Sequence, residues 1–349
     1  MMDYAAAGRL VGTDALALAD LSRRARFDRD RHAYPLARAA RRLAPDDPEV
    51  LALTAASVAG DTQPWHRRIV EDTDRLAAFG QAIARIVRPG DRVLDLGAGT
   101  GVLAMMAVRA GAAHVHACEV NPIMADLTTD IVAANGMADR ITVVPCISTA
   151  IDADRDLGGR VDVIVSEILG DDLIGESVLP YLADAHARLL RPGGRMTPMG
   201  GQVVVALADW SRPPRPRVDA VAGFDLSLLS RLAPSSIKLR QGIAHELTAR
   251  GPAFDLFDVD FSRGDAQVPF RTTATLTADG GPVNGIALWM RFQFDEHQSF
   301  ETFPPRDGAR SSWLTTFYPL PEPIHPAAGD QVRIHAIRDA ESIILWAEA

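Results

Sequence analysis

Apolar residues recur at helical spacing between about 14 and 59: Leu16, Leu18 and Leu21, then Leu36, Ala39, Ala40 and Leu43. The run Leu43-Ala44-Pro45-Asp46-Asp47-Pro48-Glu49 breaks this pattern and restarts it. Asp47 is placed to cap the new helix, and Pro48 falls in its first turn, where a missing N–H costs nothing. Residues 1–60 therefore read as a helical extension. The stretch 37–55 resembles the helix-turn-helix junction of a tetratricopeptide repeat. One junction is fewer than an array needs, so an ordinary helical extension stands beside that reading. From 61 to 199 the pattern alternates. Short apolar runs at 92–96, 114–119, 141–145 and 161–166 have strand length, and 101–110 and 122–135 between them have helical spacing. This predicts an α/β unit, a Rossmann-like parallel sheet doubly wound by helices. From 200 to 349, short stretches such as 202–206, 286–292 and 331–335 alternate between Gly, Pro and Asp punctuation. They predict an antiparallel β-barrel.

Bulk properties narrow the function. The 349 residues are 47% apolar, enough for sizeable cores. The formal net charge of -9 argues against nucleic acid as a partner and leaves cationic partners open. No run approaches the roughly 18 apolar residues of a membrane span, and residues 1–9 carry no secretory pattern, so a cytoplasmic protein is expected. Cys118 and Cys146, the only cysteines, fit a reducing compartment and have no zinc-site spacing. His114 and His116 lie on one side of a strand without a third ligand nearby, and no metal is expected.

The strongest motif is Val93-Leu94-Asp95-Leu96-Gly97-Ala98-Gly99-Thr100-Gly101, a strand running into a glycine-rich turn that opens a helix. Glycines let the backbone approach a ligand closely. A nicotinamide site needs free amides there for a pyrophosphate, and a bare Gly-x-Gly-x-x-Gly would leave that alternative open. Here the spacing is Gly-x-Gly-x-Gly after an acid. Asp95 suits the cationic amino-acid end of S-adenosylmethionine, and Glu119, closing the second strand, suits its ribose hydroxyls.

Farther on stands Ser166-Glu167-Ile168-Leu169-Gly170-Asp171-Asp172-Leu173-Ile174-Gly175-Glu176-Ser177-Val178-Leu179-Pro180. This resembles the double-glutamate loop of the protein arginine methyltransferases, and the likeness runs from about Pro64 to the C-terminus. Residues 66–75 resemble the family segment that closes over the cofactor, 223–225 its dimerisation arm, and 313–318 its barrel strand. Local detail such as Met105-Met106-Ala107-Val108 is closest to the branch that makes monomethyl or symmetric dimethyl arginine. The resemblance implies that Glu167 and Glu176 are catalytic, clamping a guanidinium. It implies that Arg75 pairs with the methionine carboxylate and that His66 lies beside the cofactor. With Asp95, Gly97, Gly99, Gly101 and Glu119, the pair Ser148 and Thr149 would complete the cofactor site, Thr149 standing where the family has an adenine-contacting Glu. Asp72, Ser312 and Trp313 would face the substrate. An arm at about 209–234 implies a homodimer.

The clamp makes physical sense by itself. A guanidinium is planar with five donors, and two carboxylates can grip it in bidentate geometry. Its pKa above about 12 makes it a poor nucleophile, and acids held against one edge draw the positive charge there. Three departures bear on the acceptor. The family's Thr-His-Trp is Ser311-Ser312-Trp313, so Asp72 lacks its expected ionic partner. The Tyr-Phe-x-x-Tyr helix is replaced by Gly60-Asp61-Thr62-Gln63-Pro64-Trp65, and Thr149 is uncharged. The expected acceptor is an arginine in a peptide or protein, with S-adenosylhomocysteine as coproduct. Two alternatives stand: a small guanidino or amine metabolite as acceptor, and a partner module that binds cofactor without catalysis.

Overall fold

Four apolar runs and a fifth at Leu190–Thr197 align as the parallel sheet that alternation predicts. The computed structural model describes residues 2–59, 65–175, 177–211, 220–232, 234–239, 246–263, 270–303, 312–339 and 342–348. Strands β1 (Arg92–Leu96), β2 (His114–Cys118), β3 (Ile141–Val144), β4 (Val161–Ser166) and β5 (Leu190–Thr197) form a sheet in the order β3-β2-β1-β4-β5. Nearly every β1 and β4 side chain is buried, as expected where helices cover both faces. The strand order reverses between β1 and β4. A crevice at the carboxyl ends of those two strands is where such sheets place their ligands.

Among the described residues ten α-helices accompany the strands. The first four, α1 (Tyr4–Val11), α2 (Ala15–Phe27), α3 (Ala33–Leu43) and α4 (Pro48–Ala59), share a small core of Tyr4, Leu18, Ala19, Leu36, Ala40 and Val50. Helix α1 was not anticipated: its alanine-rich sequence carries too few large apolar residues to show a period. Asp47 accepts from the amides of Glu49 and Val50, so the helix start expected at Pro48 is capped as read. Then follow α5 (Trp65–Glu71), α6 (Thr73–Ile86), α7 (Val102–Arg109), α8 (Pro122–Ala134), α9 (Ala153–Leu157) and α10 (Val178–Arg188). Arg38 on α3 pairs with Asp126 on α8 and lies 3.7 Å from Asp130, tying the extension to the sheet unit.

The remaining strands are β6 (Gly200–Trp210), β7 (Ala220–Val221), β8 (Phe224–Asp225), β9 (Ile237–Leu239), β10 (Leu247–Ala249), β11 (Phe254–Asp260), β12 (Phe270–Asp279), β13 (Val283–Gln293), β14 (Ser299–Glu301), β15 (Thr315–Ile324), β16 (Ala328–Arg338) and β17 (Ile343–Ala347). One antiparallel sheet runs β10-β6-β13-β15-β9, with β11 on β6 and β14 on β13; a second runs β12-β16-β17. Strand β6 is buried on both faces from Val203 to Ala208, not alternately as its sequence stretch was read. One face joins the large core, and the other joins Trp210, Trp289 and Phe317. The large core is continuous between the two sheet systems: Phe79 of α6 meets Phe294 edge-on at 4.8 Å, and Phe292 meets Trp313 at 4.9 Å.

The arm needs one correction. Asp209 and Trp210 belong to β6, where they pair with Thr248 and Leu247, so projecting structure begins beyond them. Strands β7 and β8 form a two-stranded hairpin followed by a short 3-10 turn, Ser227–Leu232. Among the described residues, no helix is long and apolar enough to cross a membrane.

Candidate active site

Two loops meet at the reversal point. The first leaves β1 through Gly97, Gly99 and Gly101, all with positive φ, at 77°, 54° and 75°. At Gly97 an added Cβ would collide with Ile168 from the second loop, and at Gly101 it would lie 2.8 Å from Thr128, so these positions need glycine for space as well as conformation. Glu119, just past β2, accepts from the amides of Gly99 and Asn121, each at 2.8 Å. It thereby fixes the loop while keeping lone pairs for a ligand's hydroxyls.

Asp95 does not join this cavity. It is wholly buried beneath the loop, accepting from the Ala104 amide in the first turn of α7 at 2.9 Å, with its other oxygen unpartnered. Burial first, and the nearby Glu119 charge second, push its carboxyl up to about 7, against the Ala104 amide. In the unfolded chain the group ionises near 4. The folded state therefore holds the proton more tightly across that window, and stability falls as pH rises from about 4 to about 7. Asp95→Asn should melt higher than the wild type at pH 8 by several degrees, with the gap closing toward pH 5. Calorimetry at both values checks this, and a gap independent of pH would disprove the assignment.

The second loop leaves β4 at Glu167. The carboxylate of Glu167 pairs with the guanidinium of Arg75 on α6; the Arg75 side chain is buried, at 3% exposure, and that of Glu167 nearly so, at 10%. Arg75 also lies 4.5 Å over the Trp313 ring and donates to the Ser312 hydroxyl at 2.8 Å. Its Nε has no partner, and burial lowers its pKa to about 10 against the pull of Asp72, leaving it charged near neutrality. Asp72 caps α6 by accepting from the Arg75 amide, and its other oxygen accepts from the Ser312 amide at 2.6 Å and hydroxyl at 3.1 Å. The serine that replaces the family His thus still engages Asp72, by two hydrogen bonds instead of an ion pair.

Three consecutive residues stitch the barrel to the start of α6 and to the second loop. Ser312 holds Asp72, the Trp313 indole donates to the Leu169 carbonyl at 3.2 Å, and the Leu314 amide donates to Asp171 at 2.9 Å. Asp171 also meets the Lys238 ammonium of β9 at 2.9 Å. Asp172 turns the other way and accepts from the amides of Ile174 and Gly175, closing the loop on itself. Leu173 is fully buried in a left-handed conformation, φ 73°, which costs about 1–3 kcal/mol and persists because these contacts over-determine the loop.

Together the loops line a cavity of about 650 Å³, within the usual range for small ligands. Arg75, Gly97, Gly99, Glu119, Ser148, Glu167, Ser312 and Trp313 lie in its wall. Asp72, Gly101 and Thr149 do not; Thr149 is exposed on the turn that follows β3, while Ser148 beside it points inward and is buried. Glu176 and the side chain of His66 lie outside the described residues. Sequence reasoning missed Asp171, Leu314 and Lys238, because their contacts join segments far apart in the chain. Of these, Lys238 alone left a trace, as the only lysine in the sequence. Among the described residues no group of three His, Cys, Asp or Glu side chains is arranged to hold a metal ion. Glu167, Asp171 and Asp172 take separate protein partners.

The family model of ribosomal protein L11 methyltransferase (PrmA) matches residues 78–200, the parallel-sheet region. An arginine N(omega)-methyltransferase of Streptomyces achromogenes subsp. streptozoticus is 37% identical over 296 residues, covering 82% of this chain and 80% of that one. Protein arginine N-methyltransferase 7 of Danio rerio is 28% identical over 310 residues, covering 80% of this chain but 44% of its own length. Among solved structures, the Trypanosoma brucei PRMT1 enzyme–prozyme heterotetrameric complex with AdoHcy is similar with a TM-score of 0.70 and 24% identity, covering 80% of this chain and 88% of that one. Arabidopsis thaliana protein arginine methyltransferase 10 is similar with a TM-score of 0.65 and 20% identity, covering 81% and 95%. At those identities the solved structures speak for the fold, a parallel-sheet unit followed by a barrel.

Proposed function

Because the chain belongs to the arginine N-methyltransferases, enzymes that use S-adenosylmethionine, we propose that it methylates the ω nitrogen of free arginine and releases S-adenosylhomocysteine. The observation that carries this is Glu167, a nearly buried carboxylate in the cavity wall that already grips a guanidinium, that of Arg75. The relative that matches this chain along four-fifths of both lengths is named for arginine, whereas the relatives named for protein arginine are two to three times as long as their matched part. This reading puts the small guanidino acceptor ahead of the peptide or protein arginine expected from sequence, which stays the alternative.

The cavity fits the cofactor. Its volume suits a nucleoside with an amino-acid tail, its glycine turn excludes side chains, and it offers a buried cation and an acid with spare lone pairs. Gly97 and Gly99 would lie along the cofactor, Glu119 would bind ribose hydroxyls, Ser148 would border the base, and Arg75 would meet the methionine carboxylate. Thr149, exposed, stands outside the cavity wall, and His66 keeps only its family role. The cofactor supplies an electrophilic methyl on a sulfonium. Glu167, with Glu176 as its family counterpart, grips the acceptor guanidinium, aims one terminal nitrogen along the line of attack and draws positive charge away from it. Ser312 cannot titrate near neutral pH, so bracing of Asp72 persists while release of the acceptor's proton falls to the clamp carboxylates.

Labelled S-adenosylmethionine, offered with free arginine, arginine peptides and lysate, tests the proposal. Label on free arginine is expected. Label on peptides alone would return the acceptor to proteins, and cofactor binding without transfer would make the chain a binding module.

We also propose three units, 1–60, 61–199 and 200–349, and a homodimer made through the arm. Val221, Phe224, Leu228 and Leu232 stand exposed there, Phe224 and Leu232 by more than two-thirds, an apolar density unusual for a solvated loop. Phe224→Asp combined with Leu228→Asp should convert a dimer to a monomer in sedimentation velocity, and an unchanged dimer would exclude the arm.

A further inference from the structure

An amino acid differs from a peptide residue in its head: a free α-carboxylate and α-ammonium side by side. We propose that Asp171 and Lys238 read that head, making the pair the determinant of preference for free arginine. The inference rests on the acceptor reading above. Asp171 stands four residues after Glu167 in the same loop and lines the same cavity. From guanidinium carbon to α-carbon, arginine spans about 6 Å when extended, so a side chain gripped at Glu167 carries its head toward another part of the same wall. Asp171 is fixed at both oxygens, by the Leu314 amide and the Lys238 ammonium, each at 2.9 Å. Its own side chain is 18% exposed, whereas that of Lys238 is 55% exposed. The result is a negative charge in the cavity wall in contact with a half-exposed positive one, the complement of a zwitterionic head.

The identity of the cation is informative. Lys238 is the chain's only lysine, so 35 of its 36 Lys and Arg residues are arginine. An arginine here would set a second guanidinium beside the carboxylates that must select one from solution, and its planar fork matches a carboxylate as well as the substrate does. An ammonium supplies the positive charge without that mimicry. It attracts a carboxylate as a compact point charge, and the attraction weakens with salt.

The test compares arginine with agmatine, which is arginine lacking its α-carboxylate, and with arginine methyl ester. The wild type should show a KM about tenfold lower for arginine than for either analogue. Lys238→Met should raise the arginine KM about tenfold, leave kcat within about twofold and leave both analogues unchanged. These factors correspond to one charge-assisted hydrogen bond at a partly exposed site. Lys238→Arg, which keeps the charge but adds the competing guanidinium, should restore the preference only in part. A Lys238→Met variant that slows every acceptor alike would reduce the pair to a brace between loop and barrel and overturn the proposal. So would a wild type indifferent to the α-carboxylate, even while it methylates free arginine. Absence of any transfer to free arginine would instead bring down the acceptor reading, and this inference with it. A second measurement uses the unaltered protein. Acylation of its single lysine, followed by peptide mass mapping with S-adenosylhomocysteine present, should be slowed by arginine and not by agmatine. Equal protection by both, or by neither, counts against the proposal.

Discussion

Glu167→Gln should lower kcat by about three orders of magnitude, the scale of removing a charge aimed at the reacting centre from a water-poor site. The amide keeps the shape and one acceptor but loses the charge that localises the guanidinium's positive density. S-adenosylhomocysteine should bind at least as tightly as to the wild type, because Arg75 is released from its ion pair with Glu167. Stability should move the other way. Arg75 is buried with Asp72 as an acidic neighbour, and breaking a buried pair by removing one charge costs about 3 kcal/mol or more. Stopped assays for turnover, calorimetric titration for the coproduct and thermal melting give three separate readings. Turnover within tenfold of the wild type would remove Glu167 from the clamp; loss of coproduct binding would make it a structural residue of the cofactor pocket.

The parallel sheet was written in the chain's periodicity. Strand-length apolar runs alternating with helical ones gave β1 to β4 within a residue or so, and the turn after β1 announced a nucleoside-type pocket at the reversal point. Motif residues whose neighbours lie close in sequence were likewise legible: Gly97, Gly99, Glu119 and Glu167 all reach the cavity. What the sequence hid depends on contacts across the fold. Asp95 sits in the motif yet faces α7, because a strand's alternation turns that residue away from the crevice. Ser312 looked like the loss of a partner for Asp72, but a backbone amide, invisible in any motif, supplies half of the replacement. Lys238 lies 67 residues beyond Asp171 and meets it only because β9 borders β15 at the mouth of the loop.

Arg75→Met should weaken S-adenosylhomocysteine binding by about a hundredfold, the equivalent of losing one or two charge-assisted hydrogen bonds in a buried site. Methionine can still lie against Trp313, so packing is largely kept and the loss isolates the charge. Two effects act together in the variant. The methionine carboxylate of the ligand loses its cation, and Glu167, now without a counter-charge, repels that carboxylate from the same corner of the cavity. The second effect separates this role from a purely structural one. Adding Glu167→Gln to Arg75→Met removes the repulsion, so the double variant should recover part of the affinity although it carries more changes. Its stability loss should also fall short of the sum of the two single losses, as contacting residues require. In Arg75→Met alone, keeping Glu167 ionised costs folding energy. Its melting deficit relative to the wild type should therefore widen as pH rises from about 5 to about 8, where the unfolded chain's carboxylates are fully ionised. Coproduct binding unaffected by Arg75→Met would place the methionine carboxylate elsewhere, and a melting deficit constant across that range would mean that Arg75 does not neutralise Glu167.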